Sequence, residues 1–267
     1  IGVWAASAET GADEDSRGVI RVGSKNFTEQ FILGEMMAQL IEENTDLNVD
    51  RRFNLGGTMI AHSALAEGAI DLYPEYTGTG LTAVLDLPVT SDPDEVYEIV
   101  SESYMEQFGL RWLEPFGFNN TYAVTVREEQ AERRDWDTIS DLRHAADELT
   151  AGFTAEFAER ADGYPGLIDE YGFRFGQVRD LDPGILYEAI ARGQVDAIVA
   201  FSTDGRIPAF NLKTLDDNLN YFPPYRAAPV VRGETLRVYP ELRPTLNELG
   251  GMLETEEMQR LNYAVDE

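Results

Sequence analysis

Ala66-Glu-Gly68-Ala-Ile70-Asp71-Leu-Tyr-Pro-Glu-Tyr76-Thr-Gly-Thr79-Gly80 decides the reading of this chain, because its pattern returns about half a chain later. The second copy is Ala191-Arg-Gly193-Gln-Val195-Asp196, and five steps on it reaches Phe201-Ser-Thr-Asp-Gly205. Each copy reads as a helix end, a tight glycine turn, a short apolar strand and an aromatic at the strand's carboxyl end. In open α/β sheets ligands bind just beyond that end of the strands. Two lobes that each present an aromatic there are built to close on one small molecule.

Outward from this repeat, strand and helix alternate. Val19–Val22 reads as a strand, and Asn26 with Glu29 has the spacing of a capping box for a helix reaching about Glu43. Phe31, Ile32, Met36, Leu40 and Ile41 supply that helix's expected apolar face. A strand over 49–55, a helix over 58–67, a strand over 70–73, a helix after Pro93 and a strand over 110–113 follow. A second run then starts with a strand over 121–126 and continues through 138–148, 149–153, 155–161, 173–179, 185–192 and 195–201. Tyr221-Phe-Pro-Pro-Tyr225 opens an extended crossing, and 240–265 reads as mostly helix. Such alternation predicts an α/β fold of two lobes, each a mainly parallel sheet flanked by helices. The expected division is a polar tether over 1–18, a first lobe over 19–118 plus 222–267, and a second lobe over 119–221. Two crossings make it a hinged clamshell with its site in the cleft.

Composition narrows the function. With 21 Lys and Arg against 49 Asp and Glu, the formal charge is −28, a field that repels nucleic acid and anionic lipid. Lys25 and Lys213 are the only lysines. Acidity spread along the whole chain fits a halophile's surface, since the Debye length falls to about 3 Å at 1 M salt. No Asp-x-Asp-x-Asp-Gly loop points to calcium. Cysteine is absent, and the two histidines, His62 and His144, lack metal-ligand spacing and read as polar positions on helix surfaces. No metal and no cofactor are expected. The chain opens at Ile1 on a short segment without a basic region, followed by the polar stretch 9–18. This reads as an exported protein trimmed of its signal, secreted or lipid-anchored, from a halophilic archaeon or bacterium.

Ser24-Lys25-Asn26-Phe27-Thr28-Glu29, Tyr73-Pro-Glu-Tyr76-Thr-Gly-Thr79 and Thr203-Asp204-Gly205 resemble the substrate-binding proteins of ABC importers for quaternary-ammonium osmoprotectants. The resemblance covers 19–267 and implies a type II periplasmic-binding-protein-like clamshell. It also implies a monomer that captures glycine betaine, choline, carnitine or proline betaine for a membrane permease, with glycine betaine foremost. Carried over by motif, Tyr76, Tyr122, Phe201 and Tyr225 would form an aromatic cage for the trimethylammonium head. Lys25, Thr79 and Arg160 would meet a carboxylate, and Asn120 would sit at the cage edge. Phe201 stands where the family leads one to expect tyrosine, and Asn120 where some members carry aspartate. A quaternary ammonium has no N–H to donate and spreads its charge over methyl groups, which suits the negative faces of aromatic rings at roughly 0.5–2 kcal/mol each.

Two rival classes use the same residues. A clamshell for an amino acid or an oxyanion would call for a more polar cleft with fewer aromatics. A hydrolase would use Asp71, Glu75, Asp196 and Asp204 as paired carboxylates. The chain has no Gly-x-Ser-x-Gly elbow and no Walker loop, and Asp71 and Asp196 hold matching repeat positions, which points to turn or cap duty. Gly56-Gly57-Thr58 before a helix is a weak anion-loop signal.

Overall fold

The computed structural model describes residues 18–266, so the tether expected over 1–18 lies, but for Gly18, outside the described residues. Ten strands form two five-stranded sheets. The first contains β1 (Val19–Gly23), β2 (Asn48–Arg52), β3 (Leu72–Tyr76), β4 (Leu110–Trp112) and β10 (Ala227–Arg232), in the order β2-β1-β3-β10-β4. The second contains β5 (Tyr122–Arg127), β6 (Thr150–Phe153), β7 (Gln177–Asp180), β8 (Ala197–Phe201) and β9 (Leu212–Thr214), in the order β7-β6-β8-β5-β9. The two orders are equivalent. In each sheet four strands run one way, and the strand that arrives from the other lobe, β10 or β5, is inserted antiparallel in the fourth place. The result is a two-lobed α/β clamshell.

The central strands explain their own positions. Every residue of β3 is buried, as are the first four of β8, while the edge strands β2 and β7 carry charged, exposed side chains. A strand covered by helices on both faces must be apolar or satisfied throughout, and an edge carrying Asp and Arg resists pairing with another chain.

The repeat noted in the sequence is a repeat in space. Gly68 and Gly193 both take positive φ, +80° and +68°, and turn the chain out of a helix into the central strand. Side chains other than glycine rarely adopt that conformation. Asp71 accepts a hydrogen bond from the Arg21 backbone N–H at 2.8 Å and pairs with the Arg21 guanidinium. Asp196 accepts from the Thr150 N–H at 3.0 Å and pairs with Arg127. In both lobes the aspartate ties the central strand to its parallel neighbour, which is structural duty.

Helix α1 (Thr28–Asn44) departs from its expected details. Its N-cap is Phe27 and makes no side-chain cap bond, so the Asn26/Glu29 capping box does not form. Its buried face is Glu29, Gln30, Leu33, Gly34, Met37, Ala38 and Ile41, turned by about one residue from the face expected. Periodicity alone did not separate the two because both stripes are apolar at helical spacing, and contacts with the sheet and with the closing helix Thr255–Asp266 choose between them. The 138–148 segment, expected as one helix, opens on a capping box of Thr138 with Asp141 and forms two short tight-helical turns, Ile139–His144 and Ala146–Glu148. His62, expected on a helix surface, is 6% exposed and stands edge-on to Tyr104 and Phe108. Burial there lowers its pKa below the ordinary value, and Lys25 adds to that against the opposing pull of Glu75.

Asn119 and Arg226 lie side by side in an isolated antiparallel bridge, so the two crossings between the lobes run together. Across the cleft the lobes touch: the Thr58 N–H donates to Glu156 at 3.3 Å, and the Thr82 hydroxyl donates to Asp162.

Candidate functional site

The cleft holds a cavity of about 450 Å³ whose walls include Lys25, Tyr76, Thr79, Asn120, Tyr122, Arg160, Phe201 and Tyr225, all eight residues singled out from the sequence. The architecture brings them together. Tyr76 ends β3 and Phe201 ends β8, the central strand of each sheet. Tyr122 opens the hinge strand β5 directly opposite Phe201 in the register, and Tyr225 precedes the hinge strand β10. Lys25 follows β1, Thr79 closes the turn Thr77–Thr79 after β3, and Arg160 follows the helix Ala155–Glu159.

Tyr76 and Phe201 do not meet as two facing walls. Phe27, which the sequence reading did not single out, stacks on both: on Phe201 at 5.2 Å and 7° between planes, and on Tyr76 at 6.2 Å and 23°. Tyr122 continues the series, 5.5 Å from Phe201 and 5.5 Å from Tyr225, the latter edge to face at 82°. Five rings, Tyr76, Phe27, Phe201, Tyr122 and Tyr225, thus run as one series along the cavity. Phe27 was findable, since it too is an aromatic just past a strand's carboxyl end, and it sits within the quoted Ser24–Glu29 motif.

The cations are already answered. Lys25 is 3% exposed, and its Nζ lies 2.5 Å from Glu75 Oε1 and 3.1 Å from the Thr58 hydroxyl. Glu75 also accepts from the Tyr73 phenol and the Tyr76 N–H, each at 2.8 Å. Arg160 donates to Asp162 at 2.8 Å and to Glu156 at 3.2 Å, and its guanidinium stands 5.9 Å from the Tyr122 ring. Burial works against the Arg160 charge, but Tyr122, the Asp162 hydrogen bond and the Asp162 charge outweigh it, and its pKa is raised. For Glu156 burial pushes upward, while Lys25 and Arg160 pull harder the other way, leaving its pKa below the usual carboxylate range. Asp180 and Asp182 add two carboxylates to the wall. Two paired cations among five carboxylates give the cavity a negative field.

Beneath Tyr76 lies a group the sequence reading assigned to helix capping. Glu29 is 2% exposed, and its carboxylate accepts four hydrogen bonds. They come from the Tyr76 phenol at 2.7 Å, Asn120 Nδ2 at 2.8 Å, the Thr203 hydroxyl at 2.5 Å and Asn262 Nδ2 at 3.1 Å. This contact accounts for asparagine at position 120, because an aspartate would set two carboxylates against each other at hydrogen-bond distance. Burial raises the Glu29 pKa, and the hydrogen bonds from Thr203, Tyr76, Asn262 and Asn120 oppose the rise.

A ring-lined cleft between two hinged α/β lobes, with both of its cations paired inside the protein, defines a solute-binding protein. The substrate-binding domain of ABC-type glycine betaine transport systems matches residues 18–267, and the chain belongs to that family. It is 38% identical over 258 residues to the carnitine transport binding protein OpuCC of Listeria monocytogenes serotype 1/2a (strain 10403S), covering 96% of this chain and 84% of that one. It is 36% identical over 258 residues to a glycine-betaine-binding protein of Pseudomonas aeruginosa strain PAO1, covering 92% and 82%. Its fold is similar to the crystal structure of a glycine betaine/carnitine/choline ABC transporter, with TM-score 0.75, 36% identity and 92% of each chain covered.

Proposed function

We propose that this protein captures a quaternary-ammonium compatible solute and delivers it to an ABC-transporter permease, without chemistry on the ligand. The observation that carries this reading is the series of five rings along a cavity whose two cations are paired internally. Ring faces attract a methylated ammonium, and closure of the lobes strips water from the head and strengthens each contact. The ligand's contacts to both lobes stabilise the closed form, which is the form a permease would recognise. Among the described residues no helix is long and apolar enough to cross a membrane, which is consistent with a separate membrane partner. An extracytoplasmic location, secreted or anchored, follows from that task, and the acidic surface suits a cell bathed in concentrated salt.

In this reading Tyr76, Phe27, Phe201, Tyr122 and Tyr225 receive the head, and Thr79 and Asn120 border it. Lys25 and Arg160 are weaker carboxylate anchors than residue type suggested, because a ligand carboxylate would compete with Glu75 for one and with Glu156 and Asp162 for the other. Glycine betaine, foremost on the family resemblance, therefore gains less over choline than two free cations would give. The oxyanion reading fits poorly, since an anionic ligand would enter a negative field, and the amino-acid reading calls for fewer rings than the five along this cavity. Calorimetric titration of glycine betaine, choline, carnitine and proline betaine at molar salt tests the proposal. Tyr76→Ala is expected to weaken the tightest of them at least about tenfold, a loss of about 1.4 kcal/mol, with the circular dichroism spectrum unchanged. Unaltered affinity in that variant rejects the cage.

A further inference from the structure

Resting on the quaternary-ammonium reading above, we propose that Glu29 is the counter-charge of the cage: a carboxylate behind Tyr76 that sets the ring's attraction for a cation without touching the ligand. Glu29 is absent from the walls of the ring-lined cavity, yet the Tyr76 phenol donates straight to its Oε1 at 2.7 Å. A hydrogen bond to a charged acceptor is stronger than one to a neutral acceptor. It shifts electron density from the O–H into the ring, so the face presented to the cavity becomes more negative. In its ionised form the carboxylate adds a negative charge on the far side of the same ring, where it is 2% exposed at the wall of a second cavity.

Two observations separate Glu29 from the other carboxylates of the site, of which Asp180 and Asp182 are exposed to solvent. Glu75, Glu156 and Asp162 each lie against Lys25 or Arg160, which cancels most of their charge. The four partners of Glu29 are all neutral: a phenol, a hydroxyl and two amides. All four donate to its two oxygens, an arrangement suited to the acceptor-only, ionised carboxylate. A buried carboxylate without a cation is costly to a fold, and helix capping does not explain it. Among the described residues no cation bonds to Glu29, and the Lys25 Nζ that stands 5.3 Å from the Tyr76 ring centroid is held by Glu75; a quaternary-ammonium ligand would bring the charge Glu29 lacks. Glu29 is thus a positioning and tuning residue rather than a ligand contact.

The test compares choline with its neutral isostere 3,3-dimethylbutan-1-ol, which has the same shape and hydroxyl but no charge, using calorimetry and ligand-observed magnetic resonance. Glu29→Gln keeps an acceptor for Tyr76. The Thr203 hydroxyl, and the Asn262 Oδ1 that has no partner, offer acceptors to the new amide. Glu29→Gln is expected to weaken choline about tenfold and to leave the isostere within about twofold. Tyr76→Phe, which keeps the ring and cuts the link, gives the same selective loss in smaller measure and serves if Glu29→Gln does not fold. On choline the two substitutions are expected to be coupled, the second adding little to the first. Equal losses for both ligands, no loss for either, or fully additive losses overturn this inference while leaving the ligand reading intact. A wild-type protein that binds no quaternary ammonium overturns the ligand reading and this inference with it.

Discussion

Replacing Lys25 by methionine separates a structural ion pair from a ligand anchor. The Lys25 and Glu75 side chains are 4% and 0% exposed and 2.5 Å apart, so methionine fills most of the lysine's volume but leaves the Glu75 carboxylate buried without a cation. Removing one member of a buried pair costs about 3–5 kcal/mol, most of it the desolvation of the charge left behind. For a chain of this size each kcal/mol moves the melting temperature by about 2–4 °C, so Lys25→Met should melt roughly 6–20 °C below wild type. Glu75→Gln in the same chain removes the stranded charge, while its amide oxygen still accepts from the Tyr76 N–H and its amide nitrogen takes the place of the oxygen facing the Tyr73 phenol, to which it can donate. The double variant should therefore recover about half or more of the loss. Thermal unfolding followed by circular dichroism at molar salt reads both. Binding supplies the second arm, in which the ratio of glycine betaine to choline affinity stays level in Lys25→Met. A melting shift under about 2 °C, or a double variant no better than the single one, refutes the buried-pair argument. A selective loss of about tenfold or more for glycine betaine would instead return Lys25 to the role of carboxylate anchor.

Phe27→Ala removes the ring between Tyr76 and Phe201 and should weaken quaternary-ammonium binding by about 2- to 30-fold, the span of one cation–ring contact; unchanged affinity in a titration shows that Phe27 is packing alone. His62 gives a pH signature. Its folded pKa lies below its unfolded value, so the unfolded chain binds the extra proton, and stability is level above about pH 6.5 and declines as the pH falls through that value. His62→Leu, which fits against Tyr104 and Phe108, should flatten the part of that decline between about pH 6.5 and 5 in a series of melting curves; an unchanged slope removes His62 as its cause.

Part of the ring series was legible from local pattern. Tyr76 and Phe201 were found because a Gly turn, an apolar strand and an aromatic recur in each half, and strand ends are where α/β sheets hold ligands. Tyr122 and Tyr225 came from the family resemblance, since local pattern gave them only a place beside the crossings. Phe27 carried the same strand-end signal but belongs to neither copy of the repeat, so nothing in the repeat marked it. The α1 face was misjudged by about one residue because Phe31, Ile32 and Met36 are as apolar as Leu33 and Met37, and propensity does not rank two apolar stripes. His62 was taken for a surface residue because the aromatics that cover it, Tyr104 and Phe108, lie on another helix.

Taken alone, the amino-acid order determined what depends on neighbours along the chain. The glycines at positive φ, the apolar central strands and the aromatics at strand ends all act within a few residues of themselves; the duplicated aspartates were legible as a repeat, but their partners lie 50 and 46 residues away. Charge partners are of another kind. Lys25 meets Glu75 fifty residues away, and Glu29 meets Thr203 and Asn262 at separations of 174 and 233. Residue type put a lysine and an arginine in the cleft, but only the folded chain decided that both are already neutralised. The fold likewise turned a capping-box glutamate into a buried carboxylate bonded to the Tyr76 phenol. Electrostatic effect depends on distance and burial in three dimensions, and neither is written in sequence spacing.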